Sequence, residues 1–412
     1  MTVNANEVNL NELDLADPDL YTPPDAGLGV LHHLQEHRPV FWNARRGGGP
    51  SFWAFTKYAD GVAIYLDKTN FTSERGMQVG QTESAARAAA GKMLIVTDGR
   101  HSQLRDVMNP ALTPRVVRRL ETAMRETVGG MLEENARKDS FDFVDTVAGR
   151  LPLSVICQLL GVPRADWDLM IQWTRTAFGS AATDEVISDA EKAEANANIF
   201  AYYADLLAER RGNLGDDVIS VLIRGRIDGE PLTDEEILLN INGLITGGNE
   251  TTRHASAGAV IALVENPGEW RRLREDRSLI PTAVEEVLRW TAPSLNVMRT
   301  ALRDTRIGGQ TVRAGERVSV WHPAVNRDED AFPDARRFDV GRTPNRHLTF
   351  GLGRHLCIGA ALARFELRVL LEELTSRVTR MELTGPVKRL RSNLMWGVDR
   401  VPVHLELDHA GH

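Results

Sequence analysis

The chain has 412 residues, 42% hydrophobic and 26% charged, with a net charge of −8. That balance suits a folded protein with a core able to enclose a ligand, and the negative charge gives nucleic acid no electrostatic footprint. The opening MTVNANEVNLNELDLADPDL lacks the basic start and apolar core of a signal peptide, and no apolar run nears the ~18–20 residues that span a bilayer.

The two cysteines, Cys157 and Cys357, give no disulfide framework. Cys157 sits in the apolar run LPLSVICQLLG and reads as a small buried hydrophobe. These features fit a cytoplasmic protein that binds neither nucleic acid nor membrane. No linker or internal repeat divides the sequence, so one mostly helical domain over residues 1–412 is expected.

In chain order, residues 39–56 (PVFWNARRGGGPSFWAF) read as two short strands joined by a glycine-rich turn, and 57–66 as a helix. From about 101 to 290 the apolar spacing is helical, with loops near 162–164, 212–216 and 225–232. Residues 297–321 alternate like strands, with turns at Gly308-Gly309 and Ala314-Gly315. An irregular stretch covers 322–346. A helix follows Cys357 to about 377, and RVPVHLEL ends the chain in short strands. The fold class is mainly α with small β-sheets.

One helix stands apart. PLTDEEILLNINGLITGGNETTRHASAGAVIALVENP opens on a capping box of Thr233 and Glu236 and closes where Asn266 meets Pro267. Its span of about 32 residues would run roughly 48 Å, enough to cross a domain. Gly247 and Gly248 each cost about 1 kcal/mol relative to alanine there. A central helix that accepts this has something pressed against its backbone, or a bend.

FGLGRHLCIG, residues 350–359, sets Cys357 among glycines just before a helical pattern. A helix N-terminus favours thiolate, and Gly351, Gly353 and Gly359 let N–H groups approach the sulfur beside a large flat ligand. A lone cysteine in a loop is nevertheless more often inert. A zinc site would need further ligands at close spacing, and a Cys–His nucleophilic dyad has no specific use for these glycines. In the long helix, Glu250 and Thr251 put an acid and an alcohol beside the glycine groove, an arrangement that is often only a bent helix with satisfied hydroxyls. Glu286 and Arg289 lie i,i+3 in EEVLRW, ordinarily a surface pair worth ~0.2–1 kcal/mol. None of these signals decides alone.

Their order does. F-G-x-G-x-H-x-C-x-G, preceded by E-x-x-R and before that by G-G-x-E-T-T, resembles the cytochrome P-450 family in its bacterial, soluble members. RHSQLRDVMNPALTPR, NRDEDAFPDARRFDVGR and RSNLMWGVDRVPVHL extend the resemblance over essentially the whole chain. It implies the family's triangular-prism fold, with haem between the long central helix and the cysteine loop and its helix. It implies haem b on the Cys357 thiolate, with Phe350 packed beside the sulfur and Gly359 in the same loop. His101, Arg105, Arg299 and His355 match the partners of the haem propionates. Glu286, Arg289 and Arg337 match a buried structural triad. Gly248 matches the groove above haem, and Glu250 and Thr251 the acid–alcohol pair that supplies protons during oxygen cleavage. Two departures are Gly247, where alanine is commonest, and VTDGRHS, where Asp-Pro-Pro is usual before the histidine.

By the same resemblance the activity is that of a monooxygenase acting on a medium-sized, mainly apolar organic molecule. Hydroxylation is the default, in secondary metabolism or terpenoid- or steroid-type catabolism. Epoxidation, oxidative coupling or rearrangement, on a free or carrier-protein-bound metabolite, is the alternative. Substrate would touch Met77, Val79, Leu94, Phe178, Leu244 and Gly247, together with Leu295, Val297, Met395 and Trp396, and Asn296 would be the polar anchor. Electrons would come from ferredoxin and ferredoxin reductase, docking on a basic face of Arg105, Arg115, Arg118, Arg119, Arg364 and Arg368. A monomer is expected. A haem-thiolate sensor or isomerase would not need the Glu250–Thr251 pair, and a Cys–His hydrolase would need no haem.

Overall fold

Helices carry most of the chain between residues 101 and 291, as the apolar spacing requires. The computed structural model describes residues 9–22, 26–46, 48–81, 83–177 and 187–408. The central helix runs Asp234–Glu265, 32 residues. Both bonds of its capping box form: Glu236 N–H donates to Thr233 Oγ1 at 3.2 Å, and Thr233 N–H to Glu236 Oε2 at 2.8 Å. Pro267 then opens the next helix, Pro267–Glu275, where its missing N–H costs nothing.

The middle and far end of the central helix are buried almost continuously, so it threads the core rather than lying on it. It packs against Arg150–Leu160, Ile280–Thr291 and Ala360–Arg377, the last being the helix that follows the cysteine loop. A helical pair, Trp167–Ala177 and Asp189–Gly212, packs beside it. Among the described residues no helix is long and apolar enough to cross a membrane.

The 39–56 segment forms the antiparallel strands Val40–Asn43 and Phe52–Phe55. These join Arg317–Trp321, Asn296–Ala301 and Phe71–Thr72, in that order, in a five-stranded sheet whose one parallel pair is Phe52–Phe55 with Arg317–Trp321. Gly308 and Gly309, with φ of 57° and 78°, turn the hairpin Thr305–Ile307/Gln310–Val312. One strand interrupts the helical expectation for 101–290, and one expected loop holds a hairpin. Phe141–Asp142 pairs with the C-terminal strand Pro402–Leu407, and the 225–232 loop is a small hairpin, Arg226–Ile227 with Glu230–Pro231. A short helix, His322–Val325, opens the irregular stretch.

Candidate active site

A cavity of about 270 Å³ lies between the central helix and the cysteine loop. Gly247, Gly248 and Thr251 line it from the helix, and Phe350, Cys357 and Gly359 from the loop. The two glycines differ. A Cβ on Gly247 would meet nothing within 4 Å, so its missing side chain is open space. A Cβ on Gly248 would fall 2.8 Å from Ile156 Cδ1, so this glycine seats the neighbouring helix Arg150–Leu160. Thr251 Oγ1 donates to the Gly247 carbonyl at 2.6 Å, which holds the hydroxyl at the groove.

Backbone geometry explains the cysteine loop. Gly351 and Gly353 have φ of 67° and 72°, and a Cβ on Gly353 would stand 2.9 Å from the Tyr65 carbonyl oxygen. Cys357 N–H donates to the Phe350 carbonyl at 2.9 Å, closing the loop and turning the sulfur into the cavity. The thiol's exposed surface therefore faces the cavity, with protein packed around it. Burial pushes its pKa up, while the Gly359 N–H and the cations Arg105 and Arg364 oppose that rise. Arg364 lies 4.7 Å over the Phe350 ring and forks onto Glu285.

At one edge of the cavity basic side chains gather. The His101 and His355 rings are 4.5 Å apart, Arg105 Nη1 donates to the Leu356 carbonyl at 2.7 Å, and Arg299 is buried with its Cζ 5.6 Å over Tyr65. One carboxylate faces them: Asp98 Oδ1 lies 2.8 Å from His355 Nε2. His101 is held down to about 4, chiefly by burial and then by His355 and Arg105. Desolvation works against the Asp98 carboxylate, yet hydrogen bonds from His355 and Thr72 hold it well below the usual range. His355 Nδ1 is buried with no hydrogen-bond partner among the described residues. Such an edge is completed by an acidic ligand that accepts from the arginines and, once the ring holds a second proton, from this nitrogen.

Tyr65 and His322, neither of which the sequence singled out, also line the cavity. The Ser294 carbonyl, 3.0 Å from His322 Nδ1, can only accept, so Nδ1 carries the proton and Nε2 accepts from Tyr65 Oη at 2.7 Å.

A family model for cytochrome P450 matches residues 186–385. Cytochrome P450 NovI of Streptomyces niveus is 37% identical to this chain over 98% of both proteins. The chain belongs to the cytochrome P450 family. Linalool 8-monooxygenase of Pseudomonas putida is 34% identical over 95% of this chain and 98% of its own. The crystal structure of the P450 OxyD, involved in the biosynthesis of vancomycin-type antibiotics, superposes with a TM-score of 0.88 at 36% identity, covering 96% of this chain and 100% of that one. The protein is thus a P450 monooxygenase, and the family's prosthetic group is haem b on a cysteine thiolate. The cavity fits that group. It offers one thiol, an unfilled groove at Gly247, and a cationic edge with an orphaned ring nitrogen.

Several expectations are corrected by the geometry. Arg337 does not complete the Glu286–Arg289 cluster: its guanidinium is mostly exposed and reaches Glu269 at 3.6 Å. Arg342, five residues on, places Nε 3.1 Å from Glu286 Oε2, while Arg337 contributes only its carbonyl, which accepts from Arg289 and Arg342. Glu250 shares the turn of Thr251 but points elsewhere. It pairs with Arg253 at 3.0 Å and lines a separate small cavity with Asp145 and Arg175. Burial raises its pKa, opposed by Arg253.

Of the expected pocket wall, Met77, Leu94, Leu244, Gly247 and Val297 line the cavity. Val79, Leu295 and Trp396 pack instead into the core beneath the five-stranded sheet. Met395 is drawn into a bridge with Ser294. Asn296 is no anchor: its Nδ2 donates to the Asn393 carbonyl at 2.8 Å. Strand alternation accounts for this, since Val297 and Arg299 share the cavity face and Asn296 and Met298 take the other. Ser294 lines the cavity, and its Oγ donates to the Asn296 carbonyl at 3.4 Å. Phe178 lies outside the described residues.

Proposed function

We propose that the enzyme inserts one atom of O2 into a medium-sized, mainly apolar organic molecule, using haem b ligated by Cys357. Thiolate-ligated haem supplies the activation of oxygen. The observation that carries the reading is the Cys357 thiol turned into the cavity that also holds Gly247 and Thr251. His101, Arg105, Arg299 and His355 would hold the propionates, His355 through Nδ1 once the ring, which already donates to Asp98 from Nε2, takes up a second proton. Arg364 and the Gly359 N–H would favour thiolate over thiol.

On the central helix, the Thr251 hydroxyl is the proton-handling group held at the groove. Glu250 would have to leave Arg253 to reach it. Met77, Leu94, Leu244 and Val297 favour apolar substrate, with Ser294, whose Oγ donates to the Asn296 carbonyl, the polar side chain among them. The relatives' names span a terpenoid monooxygenase and antibiotic biosynthesis, in keeping with hydroxylation of a secondary metabolite or terpenoid.

Electrons would come from ferredoxin and its reductase. Arg115 and Arg118 are exposed for docking. Arg364 and Arg368 are partly neutralised by Glu285 and by Glu121 and Glu372, so the basic face is weaker than the arginine count suggests.

The test is an absorption spectrum of the reduced protein under carbon monoxide. A strongly red-shifted Soret band is expected. A band typical of histidine-ligated haem would overturn the Cys357 assignment.

A further inference from the structure

No residue of the helix Ala26–His37 lines the cavity, yet this helix carries a pair of histidines in a chelating arrangement. His33 and His37 stand one turn apart at i,i+4, so their side chains leave the same strip of the helix. Their ring centres are 4.7 Å apart, with the ring planes inclined at 62°. His32 is set about 100° round the helix from His33, and its Nε2 is buried.

The spacing can be compared with what a metal ion asks. An ion bound by an imidazole nitrogen at about 2.0–2.1 Å lies roughly 3.2 Å from the ring centre. Two such rings meeting at the ion at about 90–110° have centres roughly 4.5–5.2 Å apart. The 4.7 Å of His33 and His37 falls inside that window.

The helix also holds the pair in place. Val30, Leu31 and Leu34 are buried on its inner face, and Gln35 Nε2 donates to the carbonyls of Thr56 at 2.7 Å and Ala324 at 2.8 Å. These contacts fix the rotation of the helix and leave His33 half-buried and His37 exposed. His37 ends the helix, where the unpaired carbonyls favour positive charge. Glu36 is turned away to Arg336.

We propose that His33 and His37 form a surface site for a divalent transition ion, taking Cu2+ most tightly and Ni2+ or Zn2+ less so. Two neutral imidazoles are the protein's share, and water completes the shell, because among the described residues no third metal-ligating side chain stands with them. Mg2+ and Ca2+, which take oxygen ligands, do not suit it. The bound ion staples the last turn of the helix, just ahead of the strand Val40–Asn43 in the five-stranded sheet. The site does not depend on the monooxygenase reading.

The experiment titrates the untagged holoenzyme with Cu2+, Ni2+ and Mg2+, beside His33→Asn and His37→Asn. Cu2+ should bind at one equivalent, with paramagnetic resonance lines split by two nitrogens. Either variant should weaken Cu2+ binding by at least about tenfold, since each removes the chelate rather than one of two independent ligands. Ni2+ should raise the thermal midpoint of the wild type but of neither variant, and Mg2+ should leave all three unchanged. Equal Cu2+ affinity in the wild type and either variant, or splitting by a single nitrogen in the wild type, would overturn the proposal.

Discussion

Arg342 Nε lies 3.1 Å from Glu286 Oε2 and closes a buried cluster that Arg289 opens with a two-pronged contact to the same carboxylate. Arg289 and Glu286 are fully buried, and the remaining Arg289 donors go to the carbonyls of Asn326, Ala335 and Arg337. The cluster ties the helix Ile280–Thr291 to the irregular segment ahead of the cysteine loop.

Glu286→Ala leaves the Arg289 charge buried and unpaired, and should destabilise the protein by about 3–5 kcal/mol. Arg342→Ala removes one of two cationic partners and should cost about 1–3 kcal/mol. Arg337→Ala should stay within ~0.5 kcal/mol, because its side chain is exposed and the carbonyl that matters is retained. Urea unfolding of the three variants would rank them. Equal losses in Arg337→Ala and Arg342→Ala would refute the assignment.

Thr251→Ala should leave the reduced carbon monoxide spectrum unchanged and lower product formed per electron pair by roughly tenfold or more. The hydroxyl that Gly247 holds is lost, while the cavity's shape barely changes. Thr251→Ser should recover most of the coupling. Measuring product against peroxide released decides the matter, and a fully coupled alanine variant would remove Thr251 from proton handling.

Local features were legible in the sequence and tertiary choices were not. The Thr233–Glu236 box could be read because its partners lie three residues apart. The glycines of the cysteine loop could be read because backbone conformation imposes them. Choosing between Arg337 and Arg342 was different: both stand in one arginine-rich segment, and only the folded chain shows which guanidinium turns inward. The strand Asn296–Ala301 is buried on both faces, so no polar alternation marks Val297 and Arg299 as facing the cavity. Asp98 and His355 lie 257 residues apart, with no local pattern to join them.

His322 should make the protein acid-labile before its carboxylates titrate. Burial, and then the charges of His347 and Arg299, bring its pKa down from the ordinary 6.5 to about 4, against the opposing bond to Ser294. The unfolded chain therefore binds a proton below pH 6.5 that the folded chain refuses until about pH 4. The stability contributed by neutral His322 is complete above pH 6.5 and is lost as the pH falls towards 4, roughly 3 kcal/mol in all. Urea midpoints between pH 7.5 and 5 should fall more steeply in the wild type than in His322→Gln, whatever that variant's absolute stability. Parallel curves would show that the Tyr65–His322 pair does not carry the effect.

Gly247→Ala and Gly248→Ala should part company although the residues are adjacent. At Gly247 the added methyl enters empty cavity, so the helix gains about 0.5–1 kcal/mol of stability from the loss of glycine. The same methyl narrows the space above the plane where haem would lie, so larger ligands should lose affinity while small ones keep theirs. At Gly248 the methyl meets Ile156 Cδ1 at 2.8 Å, and that side chain must move within a packed core. The strain offsets the helical gain, leaving stability unchanged or lower. Thermal unfolding, with spin-state titrations of apolar ligands of graded size, separates the two. A Gly247→Ala protein that is less stable than wild type and binds all ligands as before would mean that the groove at Gly247 does not open into the substrate cavity.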